Sequence, residues 1–329
     1  MPVLWIKRGR MMNIATALNK QYLLYTIVML TSLCENNPVH IDAYILNTEL
    51  DAGDFRKLDD SLEKYDIRCV DTKIDASWFD ARCPHTEEWS METYYRLLLP
   101  DLLPADVERL LYLDVDLIIH QSLAELYDRD LEGMDLWAAE NANGTTTPGT
   151  MMAKQRAMFA PLMAQGYRYF NAGVLLLNMK QIRERYGSEA YANAMAEWDY
   201  AMDCPDQDIL NWVHRDAVGY LPWDKWDLFS KHAHQLGITY EDVKAQAAII
   251  HFAGSKPWNT TNLHYGIEQL WWDYAKLTPF YTELLEAFQR SVMADTYVEG
   301  QIRDLVDANQ RMVEISRTLA DRVKQLQKG

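Results

Sequence analysis

Short apolar runs alternate with longer amphipathic stretches along the first part of the chain. Apolar runs typical of buried strands occupy 12–18, 40–47 and 66–72, and stretches with helical spacing occupy 21–34 and 54–64. Strands that alternate with helices predict βαβ units and a mainly parallel sheet. The expected fold class is therefore α/β.

The alternation continues beyond residue 90. Segment 90–103 begins with a Ser that suits a helix N-cap and is interrupted at Pro100, so it predicts a helix. The apolar segment 111–119 follows it and predicts a central strand. Segment 134–141 predicts a strand, and 169–187 predicts a strand that leads into a helix. Segment 204–214 predicts the start of a helix, and 247–259 predicts a strand that runs into a loop.

The pattern changes after Pro279, where a helical tail begins. Apolar residues recur there every seven positions, at Leu305, Met312, Leu319 and Leu326. This repeat predicts a helix with one packing stripe. We expect residues 281–329 to form a helical extension that docks on its own domain or pairs with a second copy of the chain, in preference to a membrane or partner arm.

The two ends of the chain set the expected domain limits. Residues 1–11 lack the apolar core and the cleavage site of a secretory signal, and we expect a leader or tag-like segment outside the fold. Residues 12–280 are then expected to form one α/β domain.

Composition narrows the class of protein. Of the 329 residues, 49% are hydrophobic and 24% are charged, as in globular proteins, and the net charge of −16 disfavours binding to nucleic acid. No apolar segment is long enough to span a bilayer. The four cysteines have neither metal-ligand spacing nor the density of a disulfide scaffold. We expect a cytoplasmic protein, with peripheral attachment to the inner membrane face as an option.

Two acids interrupt the apolar segment LYLDVDLII at 111–119. In a strand, Asp114 and Asp116 would share one face, and buried paired carboxylates are costly unless a cation or strong donors compensate. A divalent ion such as Mg²⁺ or Mn²⁺ with a phosphate-bearing substrate explains the pair. The alternative is that the strand ends at Leu113 and the acids lie in a solvated turn.

Four motifs occur in a fixed order, namely LYLDVD, YFNAGVLLLN, PDQDILN and HFAGSKPW. Together they resemble the motifs of the retaining glycosyltransferases of family 8, enzymes with a GT-A fold that transfer a hexose from a nucleotide sugar, usually UDP-linked. The resemblance covers about residues 12–280. It implies a GT-A type nucleotide-sugar-binding fold followed by a C-terminal helical tail.

The resemblance implies a metal site and a site for the donor diphosphate. Asp114, Asp116 and His251 would ligate Mn²⁺, with Mg²⁺ as the alternative, and the Val115 backbone would lie beside the ribose. Four further residues would contact the donor. These are Gly254 and Lys256 at the diphosphate, in a loop one residue shorter than in many family members, Arg96 at the donor and Asn171 at the sugar hydroxyls.

Other positions follow from the same resemblance. Asp206 and Gln207 would lie near the anomeric carbon as catalytic residues. The turn that holds uracil in the family aligns with Asn19, Lys20, Gln21 and Tyr22, where Lys20 reverses a charge, so the nucleobase preference is open. An acid that the family has after the next strand falls at Glu140 or Asn141.

The function implied is a metal-dependent retaining glycosyltransferase. It would move glucose or galactose from a UDP-sugar to a saccharide, lipid-linked or glycoprotein acceptor. A non-catalytic nucleotide-sugar-binding or assembly protein with the same fold is the alternative, because of the altered turn and the helical tail. A nucleotidyltransferase would leave the PDQD and HFAGSKPW motifs unexplained.

Overall fold

The computed structural model describes residues 11–79, 83, 91–131, 133–254, 256–259, 266–294, 300, 302–313 and 316–317. The strands are β1 Met11–Ala17, β2 His40–Asn47, β3 Ile67–Lys73, β4 Arg109–Leu113, β5 Leu117–Ile119, β6 Leu136–Glu140, β7 Phe170–Asn178, β8 Val218–Leu221, β9 Leu228–Phe229 and β10 Ile249–His251. The helices are α1 Leu23–Asn36, α2 Ala52–Leu62, α3 Leu99–Leu102, α4 Ala124–Tyr127, α5 Ala153–Met163, α6 Met179–Arg185, α7 Glu189–Glu197, α8 Pro205–Val213, α9 Trp223–Trp226, α10 Ser230–Gln235, α11 Tyr240–Gln246, α12 Gln269–Ala275 and α13 Tyr281–Val292.

The described strands form a seven-stranded sheet and a three-stranded sheet. The large sheet has the order β3-β2-β1-β4-β7-β6-β8, and the small one has the order β5-β10-β9. In the large sheet, β7 is antiparallel to both of its neighbours, while the other pairs are parallel. The predicted α/β fold with a mainly parallel sheet is confirmed.

Both faces of the central strands of the large sheet are buried against other elements. In β4, Leu111 and Leu113 join one apolar cluster, whereas Leu110 and Tyr112 join another. This alternation is the two-residue period of a strand, and a sheet covered on both faces needs apolar residues at both sets of positions. The continuous apolar run that marked this strand in the sequence is therefore explained.

The antiparallel strand β7 brings two distant motifs together. Leu113 at the end of β4 pairs with Val174 of β7, and the next amide, from Asp114, donates to the Gly173 carbonyl at 2.9 Å. Because β7 runs against β4, its first residues lie where β4 ends. The NAG segment of the YFNAGVLLLN motif thus lies beside the acidic pair.

The predicted single strand over 111–119 is wrong. The chain leaves the large sheet after Leu113 and enters the small sheet at Leu117, so Asp114 and Asp116 lie in the connection between two sheets. The connection is not a solvated turn either, because Asp116 is only 7% exposed and its carbonyl accepts from the Phe252 amide at 3.0 Å.

The segment before β4 also differs from its prediction. Residues Met91–Leu98 form a 3₁₀ helix, and the α-helical turn α3 follows at Leu99–Leu102. Pro100 lies in the first turn of α3, where its missing N–H has no helical partner to lose. Pro100 therefore lies at the start of a helix and does not interrupt one.

The two ends of the chain are described only in part. Residues 1–10 lie outside the described residues, and Met11 already pairs with His40 at the start of β1, one residue before the expected fold boundary. At the other end, Leu284 of α13 is buried in the cluster that contains α12.

The helix over 302–313 does not show the expected docking. All of its residues are exposed, including Leu305 at 69% and Met312 at 65%. Leu319 and Leu326 lie outside the described residues, and pairing with a second copy stays a prediction. None of the described helices is long and apolar enough to cross a membrane.

Candidate active site

The predicted metal ligands converge at the junction of the two sheets. Asp114 and Asp116 flank the half-buried Val115, and His251 is the last residue of β10. Because β10 is antiparallel to β5, His251 pairs with Leu117 and lies beside the acids. One ligand atom of each of the three side chains lies within 4.8 Å of the others.

This donor set fits a divalent cation. Two carboxylate oxygens and one imidazole nitrogen suit Mn²⁺, and they also accept Mg²⁺ less readily because Mg²⁺ prefers oxygen ligands. Gly173 keeps the space open, since a Cβ there would lie 2.8 Å from Asp114 Oδ2 and 2.5 Å from His251 Cε1. The residues present therefore fit a divalent cation.

A residue that the sequence analysis missed orients the histidine. Asp227 Oδ1 lies 2.8 Å from His251 Nδ1, which leaves Nε2 facing Asp116 Oδ1 at 3.4 Å. Burial alone would lower the pKa of His251, but the two carboxylates raise it to about 10. A carboxylate on the far nitrogen of a metal-binding histidine fixes the tautomer and the ring orientation. The available signal was an acid between the apolar residues Trp226 and Leu228.

The GSKPW loop brings a cation to the Asp116 carboxylate. Lys256 Nζ contacts Asp116 Oδ2, and this carboxylate raises the pKa of Lys256 although burial would lower it. Gly254 has φ +81°, a conformation that glycine adopts without strain. Trp258 stacks on Tyr25 of α1 at 4.1 Å between ring centroids, which ties the loop to the fold. The shortened loop therefore reaches the metal site.

Arg96 lies inside the protein and joins the acidic pair to α8. Its Nη2 lies 2.9 Å from Asp114 Oδ1, and its Nε lies 3.1 Å from Asp206 Oδ2. The guanidinium also stacks over the Tyr112 ring at 4.3 Å and donates to the Ala172 carbonyl. Arg96 is thus a buried cation shared by two carboxylates and not a charge on a helix surface.

Because Arg96 is shared with Asp114, it compensates the negative charge of Asp206 only in part. Burial raises the pKa of Asp206, Arg96 lowers it and Asp114 raises it again, with a result of about 6. Asp206 is only 3% exposed. Asp206 therefore gains its charge at a pH of about 6, and a buried carboxylate shifted in this way is a candidate for a functional site.

Replacing Asp206 by Asn is expected to change the pH dependence of stability. Because the folded-state pKa of about 6 exceeds the unfolded value, the folded protein holds this proton more tightly. The stabilising contribution of Asp206 is full below about pH 4 and falls by about 3 kcal/mol as the pH rises to about 6. Urea unfolding of the metal-free proteins should show the wild type losing stability relative to Asp206→Asn in this window. A difference that stays constant from about pH 4 to about pH 7 would contradict the shift.

Side-chain amides form a second group next to Asp206. Gln207 Oε1 accepts from Asn171 Nδ2 and from the Ala172 amide, each at 3.0 Å. Asn171 Nδ2 also donates to Asn141 Oδ1 at 3.3 Å, whereas Glu140 pairs with Arg168. Of the two positions that could correspond to the family's acid, Asn141 is therefore the one whose side chain hydrogen-bonds to Asn171 and so joins this cluster of side-chain amides.

The altered turn keeps a defined shape. Asn19 Oδ1 accepts from the amides of Gln21 and Tyr22, at 3.1 and 3.3 Å, and so caps the short 3₁₀ helix. The Tyr22 ring lies edge-on to Trp258 with centroids 6.4 Å apart, while Gln21 is exposed. The turn therefore borders the loop that carries Lys256.

The charge reversal at Lys20 is compensated locally. Lys20 Nζ lies 2.7 Å from Asp51 and 3.1 Å from Asp54, at the start of α2. Asp51 also caps that helix by accepting from the Gly53 and Asp54 amides. Lys20 is thus directed to α2 and not to the metal site.

Comparisons with known proteins agree with this geometry. The sequence model described as Glycosyl transferase family 8 matches residues 13–262. The lipopolysaccharide 1,2-glucosyltransferase of Escherichia coli (strain K12) is 26% identical over 260 residues, which cover 77% of this chain and 75% of the relative. The lipopolysaccharide 1,3-galactosyltransferase of Salmonella typhimurium (strain LT2) is 25% identical over 252 residues, which cover 75% and 73%.

A solved structure supports the fold. The galactosyltransferase LgtC, in complex with donor and acceptor sugar analogs, superposes with a TM-score of 0.67 at 24% sequence identity, covering 82% of this chain and 96% of its own. The family match extends over more than half of the chain and includes Asp114 and Asp116, the YFNAGVLLLN and PDQDILN motifs and the GSKPW loop. The chain therefore belongs to glycosyl transferase family 8, and it is a glycosyltransferase with the GT-A fold.

Proposed function

We propose that the protein is a metal-dependent retaining glycosyltransferase that moves a glucosyl or galactosyl group from a UDP-sugar to a saccharide or glycoconjugate acceptor. The observation that carries the proposal is the convergence of Asp114, Asp116 and His251 with the ammonium of Lys256. A cation site with a lysine beside it suits a diphosphate. The glucosyl and galactosyl activities are those named for the two bacterial relatives.

The leaving group is the part of the reaction that these residues serve. A Mn²⁺ ion held by Asp114, Asp116 and His251 would supply charge stabilisation for the departing diphosphate. Lys256 rests on Asp116 and can exchange this partner for a phosphate oxygen while keeping its own charge compensated. Asp227 keeps the His251 ring in its orientation throughout.

The sugar gains positive charge as the diphosphate leaves. We assign the compensation of this charge to Asp206, which is ionised above a pH of about 6 and is held by Arg96. This role is compatible with attack of the acceptor on the same face and with a transient covalent intermediate. Asn171 and Asn141 supply amide groups for sugar hydroxyls.

The acceptor and the setting belong to the same proposal. We expect a saccharide, lipid-linked or glycoprotein acceptor, and we place the reaction in the cytoplasm, with peripheral attachment to the inner membrane face as an option. None of the four cysteines, all within the described ranges, forms a disulfide. Self-association through the helix over 302–313 is a further prediction, based on its exposed apolar residues.

The test measures UDP release from UDP-glucose and UDP-galactose with Mn²⁺, with Mg²⁺ and with a chelator. We expect release with Mn²⁺, weaker release with Mg²⁺ and none with the chelator, and GDP-mannose serves as the control for the nucleobase. Binding of UDP and Mn²⁺ without turnover of any nucleotide sugar, with acceptor or with water, would favour the non-catalytic alternative. Release of pyrophosphate would favour a nucleotidyltransferase.

A further inference from the structure

Asp208 is a fully buried carboxylate with every acceptor position in use. Its Oδ2 accepts from the backbone amides of Asp203 and Cys204, at 3.0 and 2.9 Å. Its Oδ1 accepts from the Tyr169 hydroxyl at 2.6 Å and from Gln155 Nε2 at 3.1 Å. Four donors surround the two oxygens, so no place is left for a proton on the carboxyl group, and Asp208 is ionised.

An ionised carboxylate gives the neighbouring hydrogen bonds one direction. Since Asp208 only accepts, the Tyr169 hydroxyl donates to it, and the Tyr169 oxygen is then free to accept. It accepts from Gln207 Nε2 at 3.1 Å. At the other end of the same amide, Gln207 Oε1 faces the Ala172 amide, which only donates. The contacts at both ends of the Gln207 side-chain amide therefore require the same one of its two possible orientations.

The ordered hydrogen bonds continue to the metal site. Asn171 Nδ2 donates to Gln207 Oε1 at 3.0 Å, so Asn171 Oδ1 points the other way and accepts from the Gly173 amide at 2.8 Å. Gly173 is the residue that leaves space for Asp114 and His251. A series of hydrogen bonds, each with a fixed donor and a fixed acceptor, thus connects Asp208 to the residues around the cation site.

We propose that Asp208 and Tyr169 are positioning residues that set the orientation of the Gln207 amide and, through it, of Asn171. This inference rests on the proposed glycosyl transfer. Both acceptor positions of Gln207 Oε1 are occupied, and one Nε2 hydrogen is bound to Tyr169. The second Nε2 hydrogen is the group that Gln207 offers to a substrate, and its carbonyl oxygen does not act as a nucleophile.

The first test compares two substitutions that each remove one tyrosine hydroxyl. Tyr169→Phe removes the link between Asp208 and Gln207. The matched control is Tyr167→Phe, because the Tyr167 hydroxyl donates to Asn211 and both tyrosines contact the Phe159 ring. In UDP-release assays, we expect kcat of Tyr169→Phe to fall about 10- to 100-fold with the donor KM within about 2-fold, because positioning affects the chemical step. The control should keep the wild-type kcat.

A second substitution reverses the direction of the hydrogen bonds. In Asp208→Asn, the two backbone amides retain the side-chain oxygen, so the new NH₂ group faces the Tyr169 oxygen. The Tyr169 hydroxyl must then point at Gln207, whose amide would have to turn its NH₂ group towards the Ala172 amide. We expect a fall in kcat at least as large as that of Tyr169→Phe.

A measurement without turnover separates this inference from the proposed function. The ¹⁵N-¹H resonances of the Gln207 side-chain NH₂ group, assigned by their loss in Gln207→Glu, report its hydrogen bond in the substrate-free protein. We expect them to shift in Tyr169→Phe and to stay in place in Tyr167→Phe. Unshifted resonances, or wild-type kcat in Tyr169→Phe, would overturn the inference. If the resonances shift in Tyr169→Phe as expected but the wild type turns over no nucleotide sugar, the proposed function alone would be overturned.

Discussion

Replacing Asp114 by Asn is expected to lower the rate of UDP release by about 1000-fold and to weaken Mn²⁺ binding strongly. The substitution removes one of two carboxylate charges from the three-residue ligand set. A divalent ion needs these charges, because a neutral amide oxygen compensates its charge poorly in a partly buried site. Calorimetric titration with Mn²⁺ and the UDP-release assay measure the two effects.

The fold should survive this change. The new amide oxygen can still accept from Arg96, which lies 2.9 Å from the present carboxylate, so the melting temperature should stay close to that of the wild type. Asp106→Asn, at an exposed carboxylate that precedes β4, is the matched control and should keep both activity and metal affinity. An Asp114→Asn protein with wild-type Mn²⁺ affinity and more than about a tenth of the activity would contradict the assigned metal role.

Replacing Arg96 by Met is expected to have the largest effect on stability. The guanidinium is 6% exposed and is shared by Asp114 and Asp206. Its removal leaves carboxylate charge in a buried site without a partner, which typically costs about 3–5 kcal/mol of unfolding free energy. Urea unfolding at neutral pH measures the loss, and UDP release should fall together with it because Asp206 loses its support.

The loss should depend on pH in a defined direction. Arg96 lowers the pKa of Asp206, so this pKa rises when Arg96 is removed, and protonation of Asp206 relieves the uncompensated charge. The destabilisation should therefore be smaller near about pH 4 than near about pH 8, and Arg96→Met with Asp206→Asn should recover part of it. Arg56→Met, on the exposed face of α2, is the control and should change stability by no more than about 0.5 kcal/mol. Equal destabilisation at both pH values would contradict the shared ion pair.

Much of the fold could be predicted from the period of the apolar residues. The runs at 12–18, 40–47 and 66–72 coincide closely with β1, β2 and β3. The period does not report where a chain changes sheets, and for this reason 111–119 read as one strand. Likewise, it does not report the direction of β7, which depends on how a distant segment pairs with β4.

The site could be predicted in part, through its motifs. Asp114, Asp116 and His251 stood out because their residue types and order resemble those of a known family, and the fold brings them together. Asp227 did not stand out, because a single acid between apolar residues is ordinary in a sequence. Only its hydrogen bond to His251 reveals its role.

The sequence by itself determined the α/β class, the family and the residue types available for metal and diphosphate. Local spacing and residue chemistry are sufficient for these, since they depend on periods of a few residues and on ordered motifs. The tertiary structure alone decided which charges share a partner. Arg96 joins Asp114 to Asp206, and Lys256 joins the GSKPW loop to Asp116. These residues are far apart in the sequence, and a local pattern of a few residues does not report such pairings. Burial then makes these pairings strong and directional, because few alternative partners reach a site from which water is largely excluded.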